Sequence, residues 1–176
     1  TDELAYNYNS TANIDNNSCI YDSCESVYFE KYFYETSLAF NGQSGYSAGL
    51  FTELFDLTND GGAVATSQGS VFKLDCQGDL EWQNDYTHTF FSIKQTSDGG
   101  FIVAGTTNYI VGTNSNGVLL KLDLEGNLIW EKILDFSISD DDQAFSVTQT
   151  SDLGYIVACA SANEINILVK LDEYGN

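Results

Sequence analysis

Between Phe90 and Leu134 the chain runs in short apolar stretches cut by glycine-bearing polar turns. In Val118–Leu122 positions 118, 120 and 122 are apolar on one face, and Leu119 is apolar on the other. Phe101-Ile102-Val103-Ala104 is apolar on both faces. Strand side chains alternate with a period of two, so both stretches read as strands covered from two sides. The pattern predicts four strands, Phe90–Thr96, Phe101–Thr107, Val118–Asp123 and Leu128–Leu134. Asp98-Gly99-Gly100 separates the first pair and Glu125-Gly126-Asn127 the last, residues that supply the positive φ of tight hairpin turns. The middle connection, Asn108–Asn116, is longer and polar.

The same pattern recurs on both sides. Asp60-Gly61-Gly62 repeats Asp98-Gly99-Gly100, and Phe145–Asp152 repeats Phe91–Asp98. Gly78-Asp79-Leu80-Glu81-Trp82 repeats Gly126-Asn127-Leu128-Ile129-Trp130. The tripeptide Lys-Leu-Asp begins at 73, 121 and 170, steps of 48 and 49. Four strands in a period of that size make one blade of a β-propeller. Blades stacked face to face cover each other's sheets, and the mixed pattern around Trp130 suits an outer strand. The expected fold is therefore all-β: four-stranded antiparallel blades of a propeller, preceded by a small irregular module. Residues 51–176 hold three copies (51–86, 90–134 and 145–176), the last lacking its fourth strand. Three blades are too few to close a ring. The expectation is a partial propeller, or an open array, completed by other segments of a longer chain.

Residues 1–25 differ, being rich in Asn, Asp, Ser and Tyr with little to build a core. Residues 26–50 read as a linker with one outer strand, because Val27–Tyr32 aligns with Leu128–Ile133.

Composition narrows the function. Of the 176 residues 43% are hydrophobic and 18% charged, which argues against disorder. The net charge of −20 excludes a binder of duplex nucleic acid, which needs a basic surface, and disfavours anionic membranes. No apolar run reaches the length of a membrane span.

Candidate chemistry is sparse. Gly45-Tyr46-Ser47-Ala48-Gly49 has the spacing of a nucleophile elbow, but no helix follows it, and a glycine-rich loop is the simpler reading. His88, the one histidine, falls in a polar link and reads as a solvated loop residue. A single histidine rules out a zinc site of ordinary type. Asn7, Asn9, Asn13 and Asp15 alternate with other residues, a spacing that can converge oxygens on calcium or build an Asn-rich turn network. Asp140, Asp141 and Asp142 form a second oxygen cluster, with calcium or a solvated loop as its two readings. Cys76 and Cys159 read as isolated small residues. Tyr6, Tyr8, Tyr21, Tyr28, Tyr32, Tyr34 and Tyr46 cluster towards the N-terminus, either packed on the first blade or offered as a stacking surface. The copies differ most in loop length. Loops on a repeated scaffold carry recognition, so Asn108, Tyr109, Asn114 and Asn116, with Phe136–Gln143, are the expected binding surface.

Two resemblances sharpen this reading. Thr1-Asp2-Glu3-Leu4-Ala5-Tyr6-Asn7-Tyr8-Asn9 with Ala12–Tyr21 resembles a short cysteine-bearing module found in tandem in large secreted proteins of the Bacteroidota. That module usually opens with Gly-Cys before Thr-Asp and carries Asp-Gly-Ser-Cys, here Asn16-Asn17-Ser18-Cys19. Residues 54–176 resemble the Asp-Gly-Gly-(Phe/Tyr)-Ile-Val-Ala-Gly … Lys-Leu-Asp-x-x-Gly-Asn-x-x-Trp propeller-like repeats of the same class. The third copy departs from it at Leu153 and at Cys159. The resemblance implies an extracellular or cell-surface protein, a cargo of type IX secretion. In that setting Cys19 is expected in a disulfide, with Cys24 or with a cysteine upstream. The implied function is a non-catalytic module in adhesion, scaffolding or assembly. Its partners would be other segments or copies of the same large protein, or surface glycans and proteins. The alternative is the propeller part of a secreted polysaccharide-active or other hydrolytic enzyme.

Overall fold

A computed structural model describes residues 54–67, 69–107, 115–136, 141–161 and 165–176. The Cys/Asn-rich module, the linker and the pentapeptide around Ser47 lie outside these residues.

Among the described residues eleven strands form three antiparallel sheets. The first holds β1 (Phe55–Leu57), β2 (Ala63–Ser67), β3 (Ser70–Leu74) and β4 (Leu80–Asp85). The second holds β5 (Thr89–Gln95), β6 (Phe101–Thr106), β7 (Gly117–Leu122) and β8 (Leu128–Leu134). The third holds β9 (Asp142–Gln149), β10 (Tyr155–Ser161) and β11 (Ile165–Leu171). Within each sheet the strands follow chain order and each pairs with its neighbour. This is the meander of a propeller blade. The four strands expected in the central copy all form, shifted by at most one residue; Asp123 belongs to the turn and not to β7.

The two-sided apolar pattern has the predicted cause. Every residue of β6 and β7 is buried. Phe101, Val103, Val118, Leu120 and Leu122 face Val64 and Val71 of the first blade. Ile102, Ala104 and Leu119 face Ala144, Val147, Tyr155 and Val157 of the third. One sheet thus supplies a wall to two cores, which is why alternate positions along a single strand are both apolar. The outer strand β8 alternates exposed and half-buried positions until Leu134.

The recurring polar residues hold each blade together. Asp123 Oδ1 accepts the Asn127 N–H at 2.7 Å, and Asp75 and Asp172 do the same for Asp79 and Asn176, both at 2.8 Å. The aspartate of Lys-Leu-Asp therefore shapes the following turn, an Asx arrangement. The lysine reaches the other turn of its own blade. Lys121 Nζ lies 3.0 Å from Asp98, and Lys170 Nζ 2.9 Å from Asp152. Lys73 Nζ lies 2.6 Å from Asp60 and also pairs with Glu81.

The last glycine of Asp-Gly-Gly has its own reason. A Cβ at Gly100 would sit 2.3 Å from Leu122 O and 2.7 Å from Lys121 Nζ, so only glycine lets the two turns touch.

Candidate functional site

The meander sorts the connections onto two rims. The tight turns after β5 and β7 lie at one end, and the connections after β6 and β8 lie at the other. The expected binding surface belongs to the second rim. Asn108, Tyr109 and Asn114 lie outside the described residues. Asn116 closes the base of that loop: its backbone exchanges hydrogen bonds with Thr107, whose N–H reaches Asn116 O at 2.8 Å and whose Oγ1 accepts the Asn116 N–H at 2.9 Å.

The described part of the second acidic cluster is engaged by its own chain. Asp141 Oδ1 accepts the Ser115 N–H at 2.8 Å and the Ser115 hydroxyl at 3.0 Å. Asp142 is fully buried, and its Oδ2 accepts the Phe136 N–H at 2.7 Å. These carboxylates pin the loop bases together across the junction of the second and third blades. Asp140 lies outside the described residues, as do Asn7, Asn9, Asn13 and Asp15. Among the described residues no group of three His, Cys, Asp or Glu side chains is placed to hold a metal ion.

His88 is not the solvated residue its polar surroundings suggested. Its side chain is 13% exposed, packs edge-on against Phe90 and lies 3.5 Å from Glu131 of the second blade. Cys159 is buried and free; burial first, and Asp142 second, push its thiol up to about 11. Cys76 is disulfide-bonded, which corrects its reading as an isolated residue. Cys19 and Cys24 lie outside the described residues.

The tight-turn rim carries a feature the loop argument did not anticipate. A cavity of about 270 Å³ opens between the second and third blades. Trp130, Tyr155 and Tyr174 supply aromatic surface to it, and Ile129 and Leu153 aliphatic surface. Trp130 and Tyr155 meet edge to face at 5.8 Å. Gly175 fits against the Trp130 ring, where a Cβ would come within 3.2 Å of it. Ser97, Asp98, Gln149 and Glu173 bring polar groups to the cavity.

Two local devices shape this wall. In the β7–β8 pairing Lys121 faces Trp130 and Leu122 faces Leu128, so Ile129 is the extra residue of a β-bulge. A bulge re-aims the side chain it carries, and Ile129 stands 55% exposed at the cavity. Leu153 has φ 67°, the one positive φ among the described non-glycine residues. The matching turn residues Gly61 and Gly99 have φ 83° and 85°.

The electrostatics of the wall are close to neutral at its base. Lys121 Nζ donates to Thr96 Oγ1 at 3.0 Å, to Asp98 Oδ1 at 3.1 Å and to Leu122 O at 3.1 Å, which uses all three ammonium protons. Burial raises the Asp98 carboxyl, but hydrogen bonds from Thr96, Lys121 and the Gly100 N–H outweigh it and hold the group below the usual carboxylate range.

Sequence reasoning missed this site because it compared the copies by loop length and not residue by residue. The signal lay in their differences: Ile129 stands where the first copy has Glu81, Tyr174 where the second has Glu125, and Leu153 where both have glycine.

No protein-family model matches the chain, and no curated protein does. Among solved structures, the chain is similar to a protein of unknown function from Bacteroides caccae, with a TM-score of 0.44 and 13% identity. The similarity covers 65% of this chain and 44% of that one, so the chain spans less than half of that neighbour's length.

Proposed function

We propose that this chain is a non-catalytic module of a larger secreted or cell-surface protein, working in adhesion, scaffolding or assembly. The observation that carries this reading is the use made of the recurring residues. Each lysine of Lys-Leu-Asp is tied to the aspartate of its own Asp-Gly-Gly or Asp-Leu-Gly turn. Each aspartate of Lys-Leu-Asp organises the next turn. The polar groups that repeat are occupied in building blades, and what varies is the surface between and around them.

The edge of the third blade fits the same reading. Among the described residues no fourth strand pairs with β11, and Leu168 on it is 77% exposed. An unpaired edge with exposed apolar side chains invites a further strand. Another segment of the same protein, or a second copy, would supply it.

The test is a paired measurement on the full-length protein. Glycosidase, protease and esterase substrates are screened for turnover, and attachment to cells or self-assembly is measured in parallel. Attachment or assembly without turnover is the expected result. Turnover that is lost on changing Ser47 or His88 would overturn the reading in favour of the hydrolase alternative.

A further inference from the structure

We propose that the cavity between the second and third blades binds one neutral saccharide ring, the terminal or internal pyranose of a glycan. The inference rests on the adhesive reading above and gives it a ligand class.

The blade scaffold does not dictate this cavity. The first and second blades meet by the same contacts, with Trp82 edge-on to Phe101 at 5.6 Å and Gly126 against the Trp82 ring. At that junction the bulged residue is Glu81, which pairs with Lys73. The turn residue there is Gly99, and Glu125 stands in the place of Tyr174. At equivalent positions Ile129 and Tyr174 replace two carboxylates and Leu153 replaces a glycine, which adds aromatic and aliphatic surface, while Glu173 stands where the first junction has Leu124.

One of those changes carries a conformational cost. A leucine in the left-handed region is disfavoured by about 1–2 kcal/mol, where the other two copies use glycine. Its side chain lines the cavity and is half exposed, so packing within the fold does not repay the cost. Strain of this kind collects at ligand clamps.

The chemistry selects the ligand. Aromatic and aliphatic walls match the C–H faces of a pyranose; the half-buried Trp130 indole and the exposed Tyr174 phenol offer ring surface, and the buried Tyr155 backs the wall. The Glu173 carboxylate, and the lone pairs that Asp98 and Gln149 keep beyond their bonds to Lys121, Thr96 and Ser97, are acceptors for sugar hydroxyls. An anion finds no donor at the lysine, because its three protons are already used. An organic cation gains no net charge at the base, where the Lys121 ammonium offsets Asp98. A volume of about 270 Å³ falls near the lower end of small-molecule sites, about 300 Å³, which suits a single ring.

The two tryptophans of the chain make the test internal. The full chain is titrated with methyl glycosides of glucose, galactose, mannose and N-acetylglucosamine, and with tetramethylammonium chloride. The two indole N–H resonances are followed by NMR and assigned with Trp130→Phe. At least one glycoside is expected to move the Trp130 signal, with a Kd of about 1–10 mM, and to leave Trp82 in place. Leu153→Gly is expected to weaken binding about tenfold while leaving Tm unchanged or higher, because glycine relieves the positive φ.

Silence of Trp130 up to about 100 mM glycoside, equal movement of both signals, or preference for tetramethylammonium would overturn the proposal. So would unchanged affinity in Leu153→Gly. The glycosides are also assayed for cleavage. Binding with cleavage would sink the adhesive reading and leave the saccharide site standing. Attachment without glycoside binding would do the reverse.

Discussion

The Ser97 backbone N–H, in a turn of the second blade, donates to Oε1 of Gln149 in the third at 2.8 Å. Asn59 and Gln95 repeat the bond between the first and second blades, also at 2.8 Å. Each glutamine turns its amide nitrogen back to its own turn, Gln95 to Gly99 O and Gln149 to Leu153 O. One side chain therefore fixes both its own hairpin and the angle to the blade before it. Gln95→Ala removes both bonds and should cost about 1–3 kcal/mol, at about 0.5–1.5 for each. Gln95→Glu keeps the acceptor for Asn59 and should cost less. Urea unfolding of the two variants checks the order.

Gly126 has φ 80°, and a Cβ there would lie 2.6 Å from the Trp82 ring. Its carbonyl also accepts the Tyr86 hydroxyl at 2.7 Å and the Asn84 amide at 3.0 Å. Gly126→Ala therefore combines an unfavourable backbone with an overlap at the junction. It should destabilise by more than about 1 kcal/mol and shift the Trp82 fluorescence. A variant as stable as the parent would show that the blades can part without loss.

The lysine latches differ in burial, and so should their mutants. Lys121 has 5% of its side chain exposed under β8, whereas Lys170, beside the open edge of β11, has 47%. Lys121→Met should cost about 2 kcal/mol, less than the 3–5 of a fully buried pair, because Asp98 is 58% exposed. Lys170→Met should have the smaller effect, and one that fades with salt. Equal losses would mean that β11 is covered in solution.

Much of this arrangement was legible because a sheet covered on both sides leaves an unambiguous trace. Phe101–Ala104 and Val118–Leu122 could satisfy two apolar faces only between two other sheets, and the turns at Gly99 and Gly126 marked the strand ends. The cavity was not legible. Ile129 reads as one more apolar residue of an outer strand until the register shows it to be the bulged one. Leu153 reads as a lapse from the repeat until its φ shows the cost. His88 was misjudged because its neighbours in sequence are polar, while its neighbours in space are Phe90 and Glu131.

Stability should fall in acid through the turn aspartates. In Asp60 and Asp98 burial raises the carboxyl, and hydrogen bonds to lysine, threonine and glycine N–H groups more than offset it. Asp152 is held at about 2, by the Thr150 hydroxyl first, then Lys170 and the Gly154 N–H. A folded-state pKa below the unfolded one gives stability that is full above the unfolded value, about 3.9, and is lost as pH falls through the folded value. The expected window is therefore from about pH 4 down to about pH 2, with little change from pH 5 to 8. Thermal unfolding across that range checks it. For Asp98→Asn the slope below pH 4 should flatten; an unchanged slope would remove the latch from the account.

The two described cysteines should both resist a thiol reagent in the native protein, for different reasons. Cys76 occupies a half-buried turn position, where the other copies place Leu124 and Glu173, and it is disulfide-bonded. Cys159 is free, but it is buried in β10 and its thiol is raised to about 11, so little thiolate exists near neutral pH. Native protein treated with a maleimide should therefore label at neither site, and unfolding without reductant should expose Cys159 but not Cys76. Reduction before unfolding should add Cys76. The chain has four cysteines, so within it the partner of Cys76 is Cys19 or Cys24. Peptide mapping without reduction should recover Cys76 joined to one of them, a bond that closes a loop of about fifty residues and is worth about 4 kcal/mol in the chain-entropy account. The Cys-bearing module would then be tied to the first blade, with the remaining cysteine left for a partner elsewhere. A Cys19–Cys24 peptide together with an alkylated Cys76 would overturn the tether and return the module to independence.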